Sequence, residues 1–251
     1  MDLLLTLNWT AVGQIILIDI LLGGDNAIVI ALACRNLPEN LRLKGILWGT
    51  AGAVVLRVAL IAFAVTMLEM PFIKLAGGLL LLWIGIKLLS DNERDHTQVA
   101  ASDQLWGAVK TIVVADLAMS IDNVIAVASA AEQAADEHKL LLVVFGILVS
   151  IPIIVWGSTL VLKLMTRFPI IVTFGAALLG YLAGGMIFSD AASGPWLKMH
   201  VPLLDITLPN LGLRWNLPEL LGAILVVSVG TYLAHRVRTP KTTLKSEKGH
   251  S

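Results

Sequence analysis

Four aspartates lie inside apolar stretches of this chain, Asp19, Asp25, Asp116 and Asp122, and an asparagine follows the second of each pair, Asn26 and Asn123. At the centre of a membrane helix each aspartate costs about 2.5–3.5 kcal/mol, so four cost on the order of 10–14 kcal/mol unless they are paired, protonated, hydrated or bound to a cation. Carboxylate and amide oxygens form a hard donor set that suits Mg²⁺, Mn²⁺ or Ca²⁺ rather than Zn²⁺ or Cu⁺. Cys34 is the single cysteine and the five histidines fall outside the apolar stretches or, for His235, at the very end of one, which argues against a soft metal site or an intrachain disulfide. The competing structural reading makes these groups protonated or Asn-paired hydrogen bonds that hold helices together.

On a regular helix Asp19 and Asn26 are separated by about 700° and share a face, whereas Asp25 points about 240° away from Asp19. An unbroken helix therefore cannot aim all three at one ligand. Gly23-Gly24 directly precedes Asp25, where a helix can kink or unwind and release backbone carbonyls, although two glycines also serve close helix packing. The second half carries Ser120-Ile121 in their place, so any break there is expected to be milder. Arg57 is a strong cation within an apolar stretch, read as a counter-ion to one aspartate in preference to a gating or anion-binding group.

The elements that must position these residues are membrane helices. The 251 residues are 57% hydrophobic and 14% charged, against about 45–50% and 25% in soluble proteins. The apolar residues gather into runs long enough to cross a hydrocarbon core of about 30 Å. Spans are expected near 9–33, 44–68, 71–89, 106–130, 140–164, 168–188 and 217–235, an all-α polytopic membrane protein of seven transmembrane helices. Pro38, Pro71, Pro169 and Pro218 stand beside helix starts, where a missing N–H does no harm. A polar loop at 90–105 separates two halves, 1–89 and 106–188. Residues 189–216 mix prolines with Trp196, Leu203, Leu204 and Trp215, too broken for a span and suited to the interface; a seventh helix at 217–235 and a basic tail at 236–251 follow.

Lys and Arg total 18, as do Asp and Glu, so net charge offers no argument for nucleic acid. Their placement is informative. Alternating loops put Lys74, Lys139, Lys198 and Arg214 on one face and the remaining cations, apart from Arg57, on the other. The positive-inside rule then sets the carboxyl end in the cytoplasm and the amino end outside. The first apolar run lacks a basic leader and a small-residue cleavage motif, and is read as a retained helix.

The halves are related. ILIDILLGGDNAIVIA at 16–31 aligns without gaps to VVADLAMSIDNVIAVA at 113–128, pairing Asp19 with Asp116, Asp25 with Asp122 and Asn26 with Asn123 at an offset of 97. The same offset pairs Gly49 with Gly146 and sets Ile154 opposite Arg57, so the arginine has no basic counterpart. A repeat of three spans has odd parity and must be inverted in the membrane, an arrangement recurrent in secondary transporters with midplane sites.

At the doubled segments LLGGDNAIVIAL and AMSIDNVIAVAS the sequence resembles the TerC family, within it the short YjbE-type branch described as metal transport proteins, in the wider LysE-like exporter group. The resemblance covers nearly all seven expected spans. It implies a seven-helix membrane protein of the bacterial inner membrane. Asp19, Asp25, Asn26, Asp116, Asp122 and Asn123 stand where the family's acidic signatures fall.

The expected function is export of a divalent cation, Mn²⁺ foremost, by proton exchange through an all-oxygen site. There would be no catalytic residue and no tightly bound cofactor. The expected partners are the bilayer, metal ions and protons, with a homo-oligomer left open and no nucleic acid. No nucleotide-binding loop suggests an ATPase. An intramembrane aspartyl protease would need Gly-x-Gly-Asp, but Leu22 occupies the first glycine position. Two alternatives remain: an exporter of amino-acid-type small molecules, and a non-transporting assembly partner of other membrane proteins.

Overall fold

The computed structural model describes residues 24–62, 71–90, 100–132, 139–201 and 217–238, all helical apart from short connections, with no strand among them. Eight helices are described. They are α1 (Gly24–Cys34), α2 (Glu39–Ala62), α3 (Ile73–Ser90), α4 (Ala101–Glu132), α5 (Lys139–Arg167), α6 (Ile170–Ser189), α7 (Ser193–His200) and α8 (Leu217–Arg238). Six of these, α2 to α6 and α8, are long and apolar enough to cross a membrane, while the described part of α1 is a shorter apolar helix. The first part of the expected 9–33 span, with Asp19 and Gly23, lies outside the described residues.

Several helices outrun the apolar windows. α2 begins at Glu39 rather than 44, because the Pro38 carbonyl accepts the N–H groups of Leu41 and Arg42 and starts the first turn. α4 likewise begins at Ala101, inside the stretch expected to be a polar loop. The 189–216 segment holds α7, an eight-residue helix. Pro169 caps α6 as expected of a helix start. Pro152, by contrast, lies inside α5, where its ring removes one backbone hydrogen bond without ending the helix.

Side-chain contacts fix the direction of travel. The Arg35 guanidinium donates to the Leu88 carbonyl at 2.8 Å, joining the end of α1 to the end of α3. Gly45 near the start of α2 lies against Cys34, Leu37 and Leu105, the last near the start of α4. Gly230 late in α8 meets Leu89 at the end of α3, while Gly184 late in α6 meets Pro218 at the start of α8. The order is therefore up and down, with α2 parallel to α4 and α3 antiparallel to α6. Arg35, Arg42, Lys87, Arg167 and Arg236 gather toward one end of the bundle.

Packing relies on small residues. Gly180 and Gly184, four apart on α6, let α8 approach until Gly222 and Pro218 meet the α6 backbone directly, and a Cβ at any of the three glycines would strike main chain. On α3, Gly77 admits Met186 of α6 together with Ile121 and Ala118 of α4. The largest apolar cluster joins Leu32, Leu81, Ile84, Ala115, Leu162 and Leu179 from five helices. Large apolar side chains also point outward, Val55 at 72%, Trp156 at 69% and Ile170 at 76% exposure, an arrangement that needs hydrocarbon rather than water around it.

Asp190 ties the end of α6 to two helix starts. Its carboxylate accepts the N–H groups of Ala192 and Ser193 at 2.9 and 3.0 Å, leading into α7, and that of Leu75 at 3.2 Å in the first turn of α3. Burial works to raise its pKa, but the Ser193, Ala192 and Leu75 N–H groups prevail and hold it below the usual carboxylate range. A depressed folded-state pKa contributes stability that is present above about pH 4 and lost as pH falls through the folded value. Asp190→Ala is expected to cost about 2 kcal/mol and lower the melting temperature by about 4–8 °C at neutral pH. An unchanged melting temperature would show that the cap contributes nothing.

Candidate functional site

Between α2 and α4 the chain buries a charged cluster. The two helices run parallel in close contact because Gly49 and Gly52 leave room for Ile112 and Val113. Further along α2, Arg57 reaches Asp116 and Ser120 on α4. Asp116 and Ser120 are one helical turn apart and so share a face.

Among the described residues three contacts link the cluster. An Arg57 terminal nitrogen donates to Asp116 Oδ1 in an ion pair. Arg57 Nε donates to Ser120 Oγ at 3.3 Å, and that hydroxyl donates to Asp116 Oδ2 at 3.1 Å. Both carboxylate oxygens of Asp116 are thus engaged. Arg57 and Asp116 are each 5% exposed. In such surroundings each ion alone carries a large desolvation penalty, and the pair persists because each offsets the other's charge.

Asp25 belongs to the same electrostatic neighbourhood, close enough to feel both the Arg57 and Asp116 charges. It is half-buried on α1, and its Oδ1 accepts the N–H of Asn26 at 2.8 Å. Asn26 itself is 3% exposed, and among the described residues neither its Nδ2 nor its Oδ1 has a hydrogen-bond partner; Thr50 Oγ1 on α2 is buried in the same condition. A buried polar group without a partner costs about 1–3 kcal/mol, so an amide left with donor and acceptor both idle is suited to receive a ligand or water.

Of the residues singled out from sequence, the structure thus brings Asp25 and Asp116 into one field and leaves Asn26 buried beside Asp25. Asp19 lies outside the described residues. Asp122 and Asn123 continue the backbone of α4, and their side chains lie outside the described residues. Among the described residues no three of His, Cys, Asp and Glu gather closely enough to hold a metal by themselves. Among the described residues an added Cβ at Gly24 would meet nothing within contact distance. Sequence reasoning identified Arg57 as a counter-ion without naming its aspartate, and it overlooked the bridging role of Ser120. The available signal was a hydroxyl four residues after a buried acid.

These features define a multi-pass, all-helical integral membrane protein with a buried charged cluster between its helices. Residues 4–242 match the family described as "Integral membrane protein TerC family", and the chain belongs to the TerC family. It is 43% identical over 183 residues to "Uncharacterized membrane protein YjbE" of Bacillus subtilis (strain 168), covering 73% of this chain and 81% of that protein. It is 34% identical over 135 residues to "UPF0053 inner membrane protein YgdQ" of Escherichia coli (strain K12), covering 47% of this chain and 56% of that relative. "Uncharacterized membrane protein YceF" of Bacillus subtilis is 28% identical over 135 residues, covering 50% and 52%. No solved structure matches.

Proposed function

We propose that this protein is a secondary transporter that exports a divalent cation, Mn²⁺ foremost, from the bacterial cytoplasm in exchange for protons. The observation that carries the reading is the buried Arg57–Asp116 pair, with half-buried Asp25 within reach of its charges and the buried amide of Asn26 without a hydrogen-bond partner among the described residues. Acids and an idle amide held within an apolar bundle form a costly arrangement that a passing hard cation would offset. Asp19, Asp25, Asn26, Asp116, Asp122 and Asn123 are the proposed ligands, taken from two repeats related by inversion. One observation favours a structural share for Asp116: its carboxylate is already satisfied by Arg57 and Ser120, as in the assembly-partner reading.

The inverted repeat draws support from packing. Pro71-x5-Gly77 recurs as Pro169-x5-Gly175 at an offset of 98; Gly77 of α3 lies against Ile121 of α4, and Gly175 of α6 lies against Ile28 and Leu32 of α1, so the paired glycines make contacts between corresponding helices. α3 and α6, which correspond under the repeat, run antiparallel to one another, and α8 packs outside them. The basic end of the bundle is the proposed cytoplasmic face, and the inner-membrane designation of the Escherichia coli relative supports that membrane. Reporters fused after residue 251 are expected in the cytoplasm, with those after residues 100 and 200 on opposite faces. Reporters 100 and 200 on one face would remove the inverted repeat.

The function itself is tested by a panel of Mn²⁺, Mg²⁺, Ca²⁺ and an amino-acid mixture in proteoliposomes subjected to a pH jump. Divalent flux responding to the jump is the expected outcome. Amino-acid flux without any metal flux would transfer the assignment to small-molecule export, and silence with every solute would favour the assembly partner.

A further inference from the structure

The Arg57–Asp116 pair raises a question that the transport reading leaves open: how the cluster is balanced when no cargo is present. A cation coordinated by Asp116 lies about 2 Å from a carboxylate oxygen, where the guanidinium now sits, and like charges at that separation in an apolar surround repel strongly. Cargo and guanidinium therefore compete for Asp116. Arginine is suited to the alternation, being permanently charged, carried on a long flexible stem and able to return to a carboxylate with directed N–H bonds. Ser120 marks the resting position, since it accepts from Arg57 Nε and donates to Asp116 Oδ2. The repeat offers no duplicate, because Ile154 stands at the matching position and is buried in an apolar cluster with Ile30, Ala53 and Ile112.

Resting on the divalent-cation reading, we infer that Arg57 is a tethered substitute for the cargo, neutralising Asp116 in the empty carrier and withdrawing when the cation binds. The consequence is kinetic. A carrier whose Asp116 is balanced by its own arginine can make the cation-free return step with the exchanged protons carried on the other carboxylates, and so complete net transport. Without that charge, the returning carrier must move an uncompensated buried Asp116 carboxylate, and only the cation-loaded carrier crosses readily.

Net transport and exchange separate the idea from a merely structural role. In proteoliposomes of the full chain, Arg57→Gln is expected to lower net Mn²⁺ efflux by about tenfold or more while exchange of labelled for unlabelled Mn²⁺ stays within about twofold of wild type. Arg57→Lys, which keeps the charge, is expected to restore most of the net efflux. Equal loss of both modes in Arg57→Gln, or net efflux as fast as wild type, would overturn the inference while leaving wild-type Mn²⁺ transport intact. No Mn²⁺ movement by the wild type in either mode would instead overturn the transport reading, and this inference with it. Because Arg57→Gln can fail to fold, a second measurement uses the wild-type protein: infrared difference spectra on adding Mn²⁺, with Arg57→Lys as control. Guanidinium bands that shift in wild type and not in Arg57→Lys are expected; no shift overturns displacement.

Discussion

Asp116→Ala is expected to destabilise the folded protein by about 3–5 kcal/mol, because it strips a buried guanidinium of its carboxylate. The effect should exceed that of removing both partners. In Arg57→Leu/Asp116→Leu no charge is left buried and apolar side chains fill comparable volume, so at least half of the loss should be regained. Ser120→Ala should cost less, about 1.5–3 kcal/mol, since it removes hydrogen bonds to two charged groups but keeps the ion pair. Reversible unfolding of the purified variants under matched detergent conditions gives the comparison. Single and double variants of equal stability would mean that Arg57 and Asp116 are not energetically coupled.

The second large effect falls on transport. Asp25→Asn is nearly isosteric, keeps the helix, and removes one negative charge and one proton carrier from a position within reach of the Arg57 and Asp116 fields. Flux of Mn²⁺ should drop by about tenfold or more, corresponding to about 1.4 kcal/mol of lost interaction, and Asp122→Asn should behave alike if the repeat supplies equivalent ligands. Cation binding should weaken as pH falls, because ligand carboxylates must be deprotonated to bind and protons compete for them. Lys74→Gln, in the first turn of α3 and outside the candidate site, should leave flux close to wild type. Equal impairment by Lys74→Gln would point to a general loss of insertion rather than to the acids.

Much of this architecture is legible in the chain because the bilayer imposes a coarse requirement, about 20 apolar residues per crossing, which survives without knowledge of contacts. The misplaced starts of α2 and α4 have a common cause. A hydropathy window reports where hydrocarbon begins, whereas Glu39–Leu43 and Ala101–Leu105 are helical turns that continue beyond the apolar window, helped by Pro38 and by Asp103 in the first turn of α4. Pro152 falls inside the expected 140–164 span and inside α5 alike, because packing in a bundle tolerates one missing backbone hydrogen bond.

At the candidate site, residue type was legible and partnership was not. Arg57 and Asp116 announce themselves as charges within apolar runs, but their meeting depends on α2 and α4 lying parallel at the spacing set by Gly49 and Gly52, which no local pattern encodes. Asp190 was invisible for a related reason. It follows a span in a segment that reads as loop, and its role arises only because the start of α3 arrives beside it from 115 residues earlier in the chain.

The most direct measurement is Mn²⁺ flux in proteoliposomes across an imposed pH step, with wild type, Asp25→Asn and Asp122→Asn at matched insertion. The expected result is wild-type flux that responds to the step and falls by about tenfold or more in each variant. Wild-type flux with no loss in either variant would contradict the proposed site, and no flux of Mn²⁺ or any other divalent cation by the wild type would contradict the proposed function.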